Sequence, residues 1–132
     1  MIHHHHLDLT LLDTPLAICR LAPDAAFPAW AMEGPFWSVT RTTDETSVIC
    51  AMDAVPDHIS AEGPWRAFKV AGPLDLALTG ILSSLAQPLA KAGISIFALS
   101  TFDTDYLLVK AERLEAAVNT LRDAGHRVPD LH

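Results

Sequence analysis

The chain has 132 residues, half of them hydrophobic and 19% charged, the balance of a globular protein rather than a disordered segment. Its net charge of −7, with nine scattered Lys and Arg, excludes the basic surface that nucleic-acid phosphates demand. No apolar run nears the roughly 20 residues that cross a bilayer, and Met1 to Leu12 lacks the charged start and apolar centre of a signal peptide, so a cytoplasmic protein is the expectation.

The four histidines His3 to His6 have the character of a tail or a tag remnant, and a metal bound there would be incidental. His58, His126 and His132 form no ligand spacing, so no metal site is expected. Cys19 and Cys50 sit in the apolar stretches AICRL and VICAM without a C-x-x-C spacing, which reads as two buried free thiols.

In chain order, Leu7 to Leu12 alternates weakly, as a short strand would, and PLAICRL from Pro15 reads as a second strand stopped by Ala22-Pro23-Asp24. The stretch from Ala25 to Met32 fits either an irregular helical turn or a packed loop. After the break at Gly34-Pro35, FWSVTRT and SVICAM flank the polar TDET, the pattern of a β-hairpin. Two prolines and a glycine between Asp53 and Pro64 mark a boundary between halves.

The second half opens with a strand, WRAFKV from Trp65, ended by Ala71-Gly72-Pro73. From Leu76 to Ala92 the residues Leu78, Ile81, Leu82, Leu85 and Leu89 recur at three- and four-residue intervals, predicting one apolar helical stripe. Pro88 removes one backbone donor from that helix, and Gly93 stops it. Ile94 to Leu99 and Tyr106 to Lys110 are strands around an acidic tip, Ser100 to Asp105. A second helix follows from Ala111 to Ala124, and His126 to Val128 reads as a last short strand. The order β-α-β-β-α-β places two helices on one face of a four-stranded antiparallel sheet, the ferredoxin-like α+β arrangement.

The halves echo each other. Placing Asp44 over Asp103 also brings Thr42 over Thr101 and Val48-Ile49-Cys50 over Leu107-Leu108-Val109, while LAPDA resembles VAGPLD upstream. Two copies of one module, the first cut down in its helices, account for this pattern.

Residues 72 to 125 resemble an ACT domain, the βαββαβ amino-acid-sensing module. The marks are Gly72, the run LTGIL from Leu78 and the pattern LSTFxxDYxLV from Leu99 to Val109, which are most similar to bacterial stand-alone tandem-ACT proteins and the CASTOR-type arginine sensors. The resemblance implies a histidine-rich tail over 1–6, a reduced ACT-like module over 7–62 and an ACT domain over 63–132. It implies a regulatory protein without a cofactor, binding a small ligand such as an amino acid at an ACT–ACT interface, in a homodimer. The loop before the first helix would meet the hairpin tip there, so the implied ligand-binding residues are Gly72, Pro73, Leu74, Asp75, Ser100, Thr101, Asp103 and Asp105.

The residue types suit such a ligand. A carboxylate is at home where free N–H groups begin a helix, and Asp75, Asp103 and Asp105 offer acceptors to an ammonium. The same residues also serve structure alone, Asp75 as a helix-dipole partner and Asp103 and Asp105 as turn formers. Catalysis is not expected: no G-x-S-x-G, no Cys with a spaced His and no H-E-x-x-H occurs. The rival to ligand sensing is a non-catalytic interaction module, with a vestigial pocket and a protein partner.

Overall fold

In the computed structural model, which describes residues 5–72, 74 and 79–130, the chain divides into two compact units. One is the continuous segment Thr14–Trp65. The other joins Met1–Asp13 to Arg66–His132.

The continuous unit is built on strands β2 (Leu16–Leu21), β3 (Ser38–Arg41) and β4 (Thr46–Ala51), with β1 (Leu9–Leu11) lying earlier in the chain and outside it. β4 pairs antiparallel with both β2 and β3, Ile18 facing Ile49 on one side and Val39 facing Val48 on the other. The first residues of β5 (Glu62–Val70) add to the free edge of β2 at Leu16 and Ile18. The stretch left open between helix and loop is a 3-10 turn, Ala29–Met32, that buries Ala31 against the sheet. Small side chains dominate this core: Ala17, Cys19, Ala31, Val48 and Cys50, flanked by Trp30 and Val39. Both cysteines are free and buried, as their apolar contexts indicate.

The other unit holds β1, the second part of β5, helix α1 (Ile81–Lys91), β6 (Ile96–Ser100), β7 (Asp105–Lys110) and helix α2 (Leu114–Asp123). Its strand order is β1-β5-β7-β6. Phe68 and Val70 of β5, with Leu107 and Val109 of β7, point to the face covered by Ile81, Leu85 and Leu89 of α1 and Ala117, Val118 and Leu121 of α2. The two-residue period of the strands and the helical stripes thus meet in one core. This is the ferredoxin-like arrangement, with one exchange at its margin.

The exchange concerns the fourth strand. The sequence assigns His126 to Val128 to that place and the Leu7 strand to the first module. Instead β1 lies antiparallel beside β5, Leu9 opposite Val70 and Leu11 opposite Phe68, and residues 126–128 contribute only a single parallel bridge, Arg127 to Asp8. The reason is burial: Leu7 and Leu9 carry apolar side chains into the core, whereas Arg127 and Pro129 are exposed. The Arg127 guanidinium forks onto the Asp8 carboxylate, with Nη2 to Oδ2 at 3.0 Å, and fastens this edge.

The helices also start later than their patterns suggest. α1 begins at Ile81 because Gly80 takes a left-handed conformation (φ 81°) as its N-cap, and residues 75–78 lie outside the described ones. α2 is preceded by a 3-10 turn over Ala111–Arg113.

Burial pushes the thiols of Cys19 and Cys50 up, Cys50 to about 11, with Cys19 adding to the shift. At pH 8 that leaves Cys50 about one part in a thousand thiolate. The native protein should therefore resist Ellman's reagent at pH 8, and both thiols should react promptly once urea unfolds it. Fast modification of either in the native state would contradict the buried, neutral assignment.

Candidate functional site

A hydrogen-bonded lattice shapes the β6–β7 hairpin tip. The Thr101 N–H donates to the Thr104 carbonyl at 2.9 Å, and the Thr101 hydroxyl donates to the same oxygen at 3.2 Å. The Thr104 hydroxyl turns inward and donates to the Val70 carbonyl at 2.7 Å, a buried bond that ties the tip to the end of β5. From there the loop leaves toward α1 and crosses the tip, where the Leu74 N–H donates to the Asp103 carbonyl at 2.7 Å. Gly72 permits that crossing. A Cβ there would lie 3.2 Å from the Asp103 carbonyl oxygen and 3.3 Å from the Thr104 Cβ, closer than side chains ordinarily pack.

Loop, tip and helix start enclose a cleft of about 320 Å³, lined by Leu74, by Gly80, Ile81 and Leu82 of the α1 start, and by the tip residues 100–105. The first N–H groups of a helix have no partner within it and form its positive dipole end, and here Gly80, Ile81 and Leu82 of that end line the cleft. On the opposite wall Ser100 donates from its hydroxyl to the Asp105 carboxylate at 2.6 Å, which fixes that carboxylate in place. Phe102 stands 78% exposed at the rim and does not fill the space. Among the described residues, the lining includes the carboxylates of Asp103 and Asp105 and no Lys, Arg or His.

Of the sequence-derived site residues, the structure gathers five around the cleft: Leu74, Ser100, Thr101, Asp103 and Asp105. Gly72 stands behind them as a packing residue for the loop crossing. Pro73 and Asp75 lie outside the described residues. The sequence reading missed Thr104, whose polar context marks a turn but whose hydroxyl is buried, and it missed Gly80 to Leu82 because the apolar stripe runs past the true helix start. The β3–β4 hairpin repeats only part of this: the Thr42 N–H likewise donates to the Glu45 carbonyl at 2.9 Å, but Glu45 stands where Thr104 does, and the hydroxyl that reaches back, Thr46 to the Ala22 carbonyl at 2.9 Å, comes one residue later.

Residues 60–123 match the family model of the ACT domain. That segment is an ACT domain. Residues 15–58, before this ACT segment, match the model of a distinct N-terminal domain. A crystal structure of protein Atu0741 from Agrobacterium tumefaciens is similar over 97% of this chain and 96% of that one, at 41% identity and a TM-score of 0.90. The putative protein CASTOR3P of Homo sapiens is 30% identical over 99 residues, which are 65% of this chain and 61% of that protein. The cytosolic arginine sensor for mTORC1 subunit 1 of Bos taurus is 35% identical over 97 residues, again 65% of this chain but 30% of the sensor. The chain thus spans less than two thirds of the length of these curated relatives. Among its described residues no helix is long and apolar enough to cross a membrane, and no three His, Cys, Asp or Glu gather as metal ligands.

Two substitutions probe the cleft's scaffold. Thr104→Val keeps the shape but strands the buried Val70 carbonyl, which should cost about 1–3 kcal/mol in urea unfolding. Gly72→Ala should lower stability by about 1 kcal/mol or more, because loop and tip must part to admit the methyl group. A neutral result for both would mean that the loop does not rest on the tip as described.

Proposed function

We propose that this ACT protein is a non-catalytic regulator that binds a free amino acid in the cleft between the hairpin tip and the start of α1. The observation that carries the reading is the polarity of that cleft, with helix N–H groups on one wall and the Asp103 and Asp105 carboxylates on the other. A zwitterion matches both: its carboxylate meets the dipole end of α1, and its ammonium meets the acidic wall. Asp105 and Ser100 are pre-ordered by their mutual hydrogen bond, so less freedom is lost on binding. The arginine sensor among the relatives supports an amino acid as the ligand class.

In this proposal the ligand completes its enclosure at an ACT–ACT interface in a homodimer, and it shifts the protein toward the arrangement that binds it better. The continuous unit Thr14–Trp65 acts as a reduced first module, without the Leu9–Leu11 strand that the sequence places in it. The matching turn bonds of the two hairpin tips, Thr42 to Glu45 and Thr101 to Thr104, support a duplication. Within Thr14–Trp65 the elements are strands and 3-10 turns, so the helix dipole that would receive a carboxylate is lacking, which favours one competent site per chain. The rival reading, an interaction module with a vestigial pocket, would have Phe102 folded into the cleft, and its exposure favours the open site.

Thermal denaturation with each of the twenty amino acids at millimolar concentration tests the proposal. At 100 times Kd a ligand adds about 2.7 kcal/mol, which raises Tm by several degrees. Asp103→Ala and Asp105→Ala should each weaken the responding ligand about tenfold or more, since each removes a charge-assisted acceptor. A screen in which no amino acid raises Tm would remove the amino-acid assignment.

A further inference from the structure

A buried polar group lies on the far side of α1 from the cleft's chemistry. His126, 4% exposed, follows α2 and reaches both the N-terminal segment and the first turns of α1. Its Nδ1 accepts the Leu7 N–H at 3.1 Å, and its Nε2 lies 2.9 Å from the Ser84 carbonyl. A carbonyl only accepts, so Nε2 carries the proton, Nδ1 is bare, and the ring is neutral.

The Ser84 carbonyl is available for a specific reason. In an α-helix it would accept from the N–H four residues on, but that residue is Pro88, which has none. The proline inside α1 and the buried histidine after α2 are therefore complementary: one vacates an acceptor, the other fills it. Ser84 is bound from the other side as well, its hydroxyl oxygen accepting the His5 N–H at 3.0 Å and its hydroxyl donating to the Gly80 carbonyl at 2.7 Å.

We infer that His126 is an acid-sensitive latch holding strand β1 in the outer position of the sheet. Protonating the ring puts a second N–H at Nδ1, directly against the Leu7 N–H. Two donors then face each other, and the backbone at Leu7 has to move away. Leu7 is joined through its carbonyl to the Arg127 N–H at 2.9 Å, and it leads directly into β1. The charged or titratable groups lining the clefts on either side of His126 are His5 and His6 from the N-terminal segment and Lys91 from α1 in one, and Asp8, Arg122 and Arg127 in the other. The single carboxylate among them, Asp8, is already paired with Arg127. Acidification thus frees β1 and uncovers the β5 edge at Phe68–Val70, and the neutral ring at higher pH closes it. The inference does not depend on which ligand the cleft takes.

Amide hydrogen exchange of the full chain, corrected for intrinsic rates, tests it between pH 8 and pH 5.5. Protection of the Leu9 and Leu12 amides should fall about tenfold or more relative to the Leu107–Val109 core on acidification. The response should persist in a His5→Gln/His6→Gln variant and vanish in His126→Gln, whose side chain does not titrate. Should His126→Gln fail to fold, 15N spectra of the wild-type ring decide the matter: protonation at Nδ1 and the loss of β1 protection must share one midpoint. Constant protection of β1, an acid response that survives in His126→Gln, or two separate midpoints would each overturn the latch.

Discussion

The candidate cleft depends on one buried hydrogen bond, from the Thr104 hydroxyl to the Val70 carbonyl. Val70 is the last residue of β5, and its carbonyl lies where the sheet ends and the loop departs. The inward-turned hydroxyl donates to that acceptor and gives the loop a fixed point of departure. With it, the hairpin tip and the end of β5 hold one geometry. Gly72 then lets the loop descend onto the Asp103 carbonyl, and the start of α1 comes to face Ser100 and Asp105. The polarity of the cleft follows from this chain of contacts. Among the side chains that a ligand would meet, Thr101 and Thr104 are held by bonds to backbone and Ser100 and Asp105 by one another.

A similar economy governs the other end of α1's first turns. Proline within a helix ordinarily leaves an idle carbonyl, yet here that carbonyl is an anchor for an imidazole brought from beyond α2. The helix is thereby joined to the N-terminal segment at two points, through Ser84 and through His126, and the margin of the sheet is held by side chains as much as by its strand ladder.

Much of this was legible in the residues because periodicity speaks directly. The stripe of Ile81, Leu85 and Leu89 and the alternation in β5 and β7 report which face is buried, and these elements stand where the patterns place them. What failed to show was of two kinds. Three-residue strands such as Leu9–Leu11 carry too little pattern to declare their partner, and proximity in sequence favoured His126–Val128 for a place that an N-terminal strand occupies. The second kind is complementarity at a distance. Pro88 announces a missing donor but not what answers the freed carbonyl, Ser84 and His126 do not announce each other, and Thr104 is one more polar residue in a polar turn. Their roles exist only once the fold sets an acceptor against a donor. Of the candidate site, the acidic tip was visible as composition, while the helix start was obscured because the apolar stripe continues upstream of Gly80.

The placement of β1 also bears on the order in which the chain acquires structure during synthesis. Thr14–Trp65 is an uninterrupted segment whose strands pair with near neighbours in sequence, so it can collapse as soon as it has been made. Leu9–Leu11 is made before any of it, yet its ladder partner is Phe68–Val70 and its bridge is to Arg127. The earliest strand is therefore among the last to be secured, and an apolar stretch containing Leu7, Leu9 and Leu11 waits uncovered while the rest emerges.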